Sequence, residues 1–302
     1  MYIGGWGRSG TTIMDNVLGA HDGVFSAGEL YHVWQRGLIN DRKCGCGQPV
    51  RACALWRDVL HVAYGDHPPD PRQVVAWQRE AVRARHTSRL LRQPHPLAEI
   101  TARLYHAIAE VTGATLVIDS SKVPSGAALL ATMPDVTGYL LHVVRDPRAV
   151  AYSWRRPTKQ LDQSRPAMMR RHGLVDSTSH WASWNLLVER AARAFDGRYL
   201  RVRYEDFVAA PADVTGRILA LAGVGPTAGP FEGTHRVRLP GNHTVSGNPS
   251  RFRSGAVDLR VDDAWRAGLP TRAARAVTAL AAPLLHRYGY PLRVERPVPD
   301  PA

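Results

Sequence analysis

Near its N-terminus the chain reads Gly5-Trp6-Gly7-Arg8-Ser9-Gly10-Thr11-Thr12. The spacing nearly matches the phosphate-binding loop G-x-x-x-x-G-K-[ST], with Thr11 where the lysine belongs. That lysine normally reaches the β- and γ-phosphates of a nucleoside triphosphate, and the hydroxyl after it holds magnesium. A loop without it still offers backbone N–H groups and a helix N-terminus, which attract an anion. Thr11 and Thr12 add hydroxyl donors, and Arg8 adds a fork-shaped cation. By itself the motif fits a glycine-rich turn with a helix cap equally well.

Two more cations follow apolar runs. "ATLVIDSSK" (114–122) ends in Lys122, and "GYLLHVVRDP" (138–147) carries Arg145 near its end. Lys43, Lys122 and Lys159 are the chain's only lysines among 39 basic Lys and Arg residues. An ordinary surface cation here is therefore written as arginine, which singles Lys122 out.

The elements that must position these residues are legible in the pattern. Residues 1–5 read as a very short strand entering the glycine loop, and "TTIMDNVLGA" continues with helical spacing. The runs at 114–122, 138–147 and 198–207 read as buried parallel strands with polar groups at their carboxyl ends. Helices are expected at 148–154, 213–224 and 271–289. A helical insertion is expected over about 71–113, interrupted at "QPHP" (93–96). Residues 40–53, 155–180 and 230–260 read as loops. Alternating strands and helices predict an α/β, P-loop-like three-layer fold with a central parallel sheet flanked by helices. Ligands then bind at the carboxyl ends of the strands, where Arg8, Lys122 and Arg145 converge. Residues 1–292 are expected to form a single domain, with 293–302 a Pro-rich tail lacking fixed structure.

Composition bounds the function. The chain has 302 residues, 44% of them hydrophobic and 22% charged, enough for a large core. No apolar run has the length of a membrane span, and no secretory signal pattern is present, so a cytoplasmic location is expected. The net charge of +13 suits a polyanionic ligand, yet it is dispersed and not gathered into a tail. A basic nucleic-acid-binding domain is thereby weakened, and no nucleic-acid partner is expected. Cys44, Cys46 and Cys53 lie in "CGCGQPVRAC". A local disulfide or structural thiols rank ahead of zinc, for which His61 is the nearest fourth ligand.

The segments "GRSGTT" and "VVRDPRAVAYSW" together resemble the two nucleotide signatures of the sulfotransferases that use 3′-phosphoadenosine 5′-phosphosulfate (PAPS). They are closest to the branch that sulfates protein tyrosine and to its bacterial relatives. "YED" (204–206) and "HTVSGNPSRF" (243–252) extend the resemblance. It implies that Gly7, Arg8, Ser9, Gly10, Thr11 and Thr12 wrap the 5′-phosphosulfate, and that Arg145 and Ser153 bind the 3′-phosphate. It also places Tyr204, Ser246, Asn248, Arg251 and Arg253 on the nucleotide. The implied product is adenosine 3′,5′-bisphosphate, and no metal is required because there is no terminal triphosphate to bridge. A Gly-Glu follows the loop in the tyrosine branch as Gly28-Glu29 does here, which implies Glu29 as base with Arg8 and Lys122 at the leaving group. Either desolvation raises the Glu29 carboxyl, or proton transfer is concerted with attack. His21, His32, His180 and His243 compete for the role of base. Trp34, Trp154, Trp181 and Trp184 are candidates to line an acceptor pocket, and Thr244 is an alternative to Ser246 near the bridging oxygen. The acceptor is expected to be a hydroxylated small molecule, a carbohydrate or a peptide tyrosine, and a homodimer stays open. The runner-up is a P-loop kinase using ATP and magnesium, since "LVID" resembles a magnesium-binding strand.

Overall fold

A computed structural model of the chain describes residues 1–163 and 167–293. Five parallel strands form the central sheet: β1 (Tyr2–Gly4), β2 (Val24–Ser26), β3 (Leu116–Lys122), β4 (Leu140–Val144) and β5 (Tyr199–Arg203). Their spatial order is β2-β3-β1-β4-β5. From β1 the chain runs to the edge strand β2, returns to insert β3 between them, and then crosses to the other side of β1 at β4. The crevice at such a reversal, beyond the carboxyl ends, is where open α/β sheets bind ligands.

Successive residues of a strand point to opposite faces, and the core divides accordingly. Tyr2 and Leu140 pack on one face with Ala127, Leu130 and Val188. Ile3, Leu141 and Val143 pack on the other with Met14, Val17 and Leu18 of the helix α1 (Thr11–Leu18). All five residues of β4 are buried, which explains its near-continuous apolar sequence.

After β2 come the helices α2 (Ala54–Tyr64), α3 (Pro71–Ala81), a short helix at Thr87–Leu90 and α4 (Leu97–Thr112), the last three within the 71–113 stretch. α2 and the strand β2 lie outside the elements expected from the sequence. Two stretches expected to be loops carry regular structure. Helix α5 (Pro147–Arg155) is followed by α6 (Leu174–Ala192), which begins inside 155–180. The 230–260 stretch holds a two-stranded antiparallel ribbon, Arg236–Leu239 against Gly255–Asp258. The final helix is α7 (Thr271–Arg287). Residues 294–302 of the expected tail lie outside the described residues. No helix among the described residues is long and apolar enough to cross a membrane.

Candidate active site

The glycine loop joins β1 to α1 and is held open by backbone shape. Gly10 has φ 81° and Arg8 has φ 70°, both left-handed. A Cβ on Gly10 would lie 2.2 Å from Tyr204 Cδ2, so the loop rests against that ring. The first-turn N–H groups of α1 have no carbonyl within the helix to bond. Arg8 lies over the Trp154 ring at 4.9 Å, and its Nη2 donates to Met169 Sδ at 3.3 Å. Arg8 Nε and Ser9 Oγ are buried without a hydrogen-bond partner. Burial lowers the Arg8 guanidinium pKa, a cost that a bound anion would offset.

Arg145 follows β4 and reaches back to this loop. Its Nη1 donates to Arg8 O at 3.2 Å, and its Nη2 donates to Asp262 O at 2.6 Å. The guanidinium lies 4.7 Å above the Tyr204 ring, and Nε is another buried donor without a partner. Asp146 does not pair with Arg145. It caps α5 by accepting from Arg148 N at 2.8 Å and forms a buried pair with the Arg148 guanidinium at 2.6 Å. Arg145 is thus left to face the loop, with Asp262 Oδ2 at 3.4 Å. Ser153 lies half-buried near the end of α5.

Glu29 sits on the loop after β2, where Gly28 with φ 72° bridges to Val245. Lys122, at the carboxyl end of β3 with φ 70°, donates through Nζ to Glu29 Oε1 at 2.5 Å and to Ser120 O at 2.8 Å. Ser246 Oγ donates to Glu29 Oε2 at 3.0 Å. His32 Nε2 lies 3.6 Å and Arg36 Nη1 4.0 Å from that same oxygen. Burial alone would raise this carboxyl, but the Lys122 ammonium, then His32 and Arg36, outweigh it and hold it at about 2. The upward shift, one of the two routes expected from the sequence, is therefore reversed in the resting site. His32 is lowered to about 4, first by burial and then by Arg36, so its imidazole is neutral at pH 7.

The later loop serves as scaffold more than the sequence suggested. Asn248 Oδ1 accepts from Ser250 N at 3.0 Å and caps a short turn at Pro249–Phe252. Arg251 is 1% exposed, and its Nη1 and Nη2 donate to Thr244 O and Lys43 O, each at 2.6 Å. Those donors are committed to backbone carbonyls, which leaves Arg251 a brace between two loops. Arg253 is exposed. Thr244 bonds Asn242 Oδ1 at 2.7 Å. Of the competing histidines, His21 lies beyond the C-terminal end of α1 beside Thr227, with a contact of 3.1 Å. His180 stacks on Trp6 at 5.0 Å.

Trp181 is a core residue at 0% exposure, whereas Trp34, 2% exposed, lines a cavity beside the Glu29 loop with Leu30, Tyr31 and Ser121. Trp181 Nε1 donates to Arg145 O at 3.0 Å. Trp154 and Trp184 instead join Trp6, His172 and His180 in an aromatic cluster beside Arg8. Sequence reasoning missed Trp6, Arg36, Asp262 and the buried Asp15, which accepts from Ser26 Oγ at 2.6 Å and Ser120 Oγ at 2.7 Å. Trp6, inside the quoted glycine loop, was the one with a local signal.

A parallel α/β sheet with a glycine loop at its switch point has the P-loop-like architecture, and this loop carries Thr11 where the triphosphatases' lysine would stand. A sequence model of the sulfotransferase family matches residues 1–227, and the chain belongs to that family. Two solved structures share its fold. The sulfotransferase domain of the Synechococcus PCC 7002 olefin synthase is 22% identical, with a TM-score of 0.57, covering 97% of this chain and 94% of that one. The sulfotransferase domain from the curacin biosynthetic pathway is 17% identical, with a TM-score of 0.53, covering 97% and 98%. No curated protein matches the chain in sequence.

Proposed function

We propose that the enzyme transfers the sulfuryl group of PAPS to the hydroxyl of an acceptor and releases adenosine 3′,5′-bisphosphate. The observation that carries this reading is the set of buried, unpartnered donors, Arg8 Nε, Ser9 Oγ and Arg145 Nε, around a glycine loop that lacks lysine. Such donors cost free energy unless an anion satisfies them. They fit a ligand with separate anionic ends. Residues 7–12 bind the phosphosulfate end, and Arg145 with Ser153 binds the 3′-phosphate, for which the arginine fork is suited.

PAPS supplies a sulfuryl group already bonded to a good leaving group. As the acceptor oxygen forms its bond to sulfur, the bond from sulfur to the phosphate oxygen breaks, and Glu29 takes the acceptor proton. Arg8 and Lys122 stabilise the charge left on the phosphate side. Lys122 has a second role as the counter-charge of Glu29. When its ammonium turns toward an anion at the loop, Glu29 loses its strongest restraint, and burial then raises its basicity. Donor binding thereby prepares the base.

The aromatic cluster of Trp6, Trp154 and Trp184 beside Arg8 favours a phenolic acceptor over a carbohydrate or other natural product, and a peptide tyrosine shares that chemistry. A kinase would need an acidic group free to hold magnesium after β3. Asp119 is 3% exposed and accepts from Tyr105 OH at 2.7 Å and from Ser121 N at 2.8 Å, so it is already satisfied.

Calorimetric titration tests the reading. Adenosine 3′,5′-bisphosphate is expected to bind without magnesium, and Arg145→Ala should weaken it at least about 10-fold, the loss of a charge-assisted contact. Magnesium-dependent ATP binding, or salt-sensitive DNA binding, with no affinity for the bisphosphate would overturn it.

A further inference from the structure

The fold gathers the chain's three cysteines and one distant histidine at a single point. Cys46 Sγ lies 3.8 Å from Cys53 Sγ. His243 Nδ1 lies 3.2 Å from Cys53 Sγ and 3.8 Å from Cys44 Sγ. All four ligand atoms fall within 4.8 Å of one another. The nearest histidine in sequence, His61, is exposed on α2 and takes no part. We propose that Cys44, Cys46, Cys53 and His243 form a four-ligand structural Zn²⁺ site.

The spacing decides against a resting disulfide. A disulfide needs sulfurs about 2.05 Å apart. A tetrahedron with Zn–S bonds of about 2.3 Å has S···S edges of about 3.8 Å, which is the separation found. The local chain is shaped for the purpose. Gly47 takes φ 88°, its N–H donates to Cys44 O at 2.9 Å, and Cys44 N donates to Gln48 O at 2.8 Å, folding "CGCG" into a knuckle. Gly45 admits no side chain, since a Cβ there would lie 1.9 Å from Asn242 Oδ1. Trp56 Nε1 donates to His243 O at 2.8 Å and fixes the backbone of the fourth ligand.

Charge is also provided for. Binding Zn²⁺ releases three thiol protons to solvent, and three thiolates with one neutral imidazole leave a net charge of −1 on the site. The Arg251 guanidinium bonds the carbonyls of Lys43 and Thr244, the residues adjoining Cys44 and His243, and supplies a buried counter-cation. With all four positions taken by protein, the site has no open position for substrate and is structural.

Its purpose follows from what it joins. The ion would lock the 43–53 segment to the 242–246 segment. That second segment carries Val245 to Gly28 and Ser246 to Glu29. The site does not depend on the sulfotransfer reading.

The test is metal analysis of the full chain purified from zinc-containing medium without chelators. One zinc per chain is expected, and Co²⁺ exchanged into it should show the thiolate charge-transfer and visible bands of tetrahedral sulfur ligation. Cys46→Ser, at the exposed ligand, should lower zinc affinity at least about 100-fold, beyond the 10–100-fold typical of outer-shell changes. His61→Ala should leave both metal content and the cobalt spectrum unchanged. Wild-type protein that holds no stoichiometric zinc and gives no tetrahedral cobalt spectrum would overturn the proposal. So would a Cys46–Cys53 disulfide found by mass spectrometry in that wild-type preparation.

Discussion

Glu29 is a carboxylate whose availability depends on one ammonium. Replacing it with Gln keeps the side-chain shape and leaves the glycine loop and Arg145 untouched. Glu29→Gln is expected to lower kcat by about 10²–10⁴-fold, the range for a general base, while bisphosphate affinity changes little. Lys122→Met separates the two roles of the lysine. Without the ammonium, the Glu29 carboxyl loses its largest lowering influence and rises from about 2, with His32 and Arg36 still opposing burial. The acid limb of kcat/KM, which reports the free enzyme, should then move to higher pH than in the wild type, together with a fall in turnover. An unchanged acid limb in Lys122→Met would show that Glu29 is not the titrating base.

At the scale of elements, the site depends on where strands stop and what supports the turn after each. Gly10 is the tightest of these supports, because its missing Cβ lets α1 begin against Tyr204, the ring beneath Arg145. Gly10→Ala is expected to displace that ring and weaken bisphosphate binding at least about 10-fold, with about 1–3 kcal/mol of lost stability in urea unfolding, the usual cost of a strained backbone residue. Gly113→Ala is the control. It has φ 65° but nothing within 4 Å of its Cβ, so it should lose stability without losing affinity. Equal affinity losses in both variants would mean that general strain, not the Tyr204 contact, is responsible.

The same scale explains what the sequence could convey. β3 and β4 were legible because buried parallel strands are written as apolar runs, and those runs placed Lys122 and Arg145 correctly at their ends; β5 reads YLRVR with only Val202 buried. β2 has three residues, too few to show a period. α6 begins in a stretch without apolar periodicity because it buries Ser177, Thr178 and Asn185 along with Trp181. The loop residues around Glu29 were legible through motif spacing. Their protonation was not, since it depends on Lys122, His32 and Arg36 meeting at one carboxylate. Likewise, no local signal joins Cys44 to His243, which is brought to it from 199 residues away.

The whole molecule is tied through its sheet by a buried histidine. His142 lies in the middle of β4, 0% exposed, and contacts Tyr199 OH of β5 at 3.0 Å and Asn185 Oδ1 of α6 at 2.9 Å. Burial lowers its pKa from 6.5 to about 4. Between those values the unfolded chain binds a proton that the folded chain refuses, so this contribution to stability is present above pH 6.5 and is lost as pH falls toward 4. Glu29 adds to acid lability in a lower window, from 4.5 down to about 2. Asp15, raised to about 6 by burial, acts in the opposite direction between 3.8 and 6. A direct comparison of wild type with His142→Gln cancels both, because neither group contacts His142. Urea unfolding at pH 7 and pH 5 should show the wild type losing about 2 kcal/mol more than the variant over that interval. Glutamine retains an amide for Tyr199 or Asn185, so the variant is expected to fold, at some cost common to both pH values. Parallel losses in the two proteins would show that His142 takes up its proton in the fold as readily as in the unfolded chain, and the neutral bridge between β4, β5 and α6 would have to be redrawn.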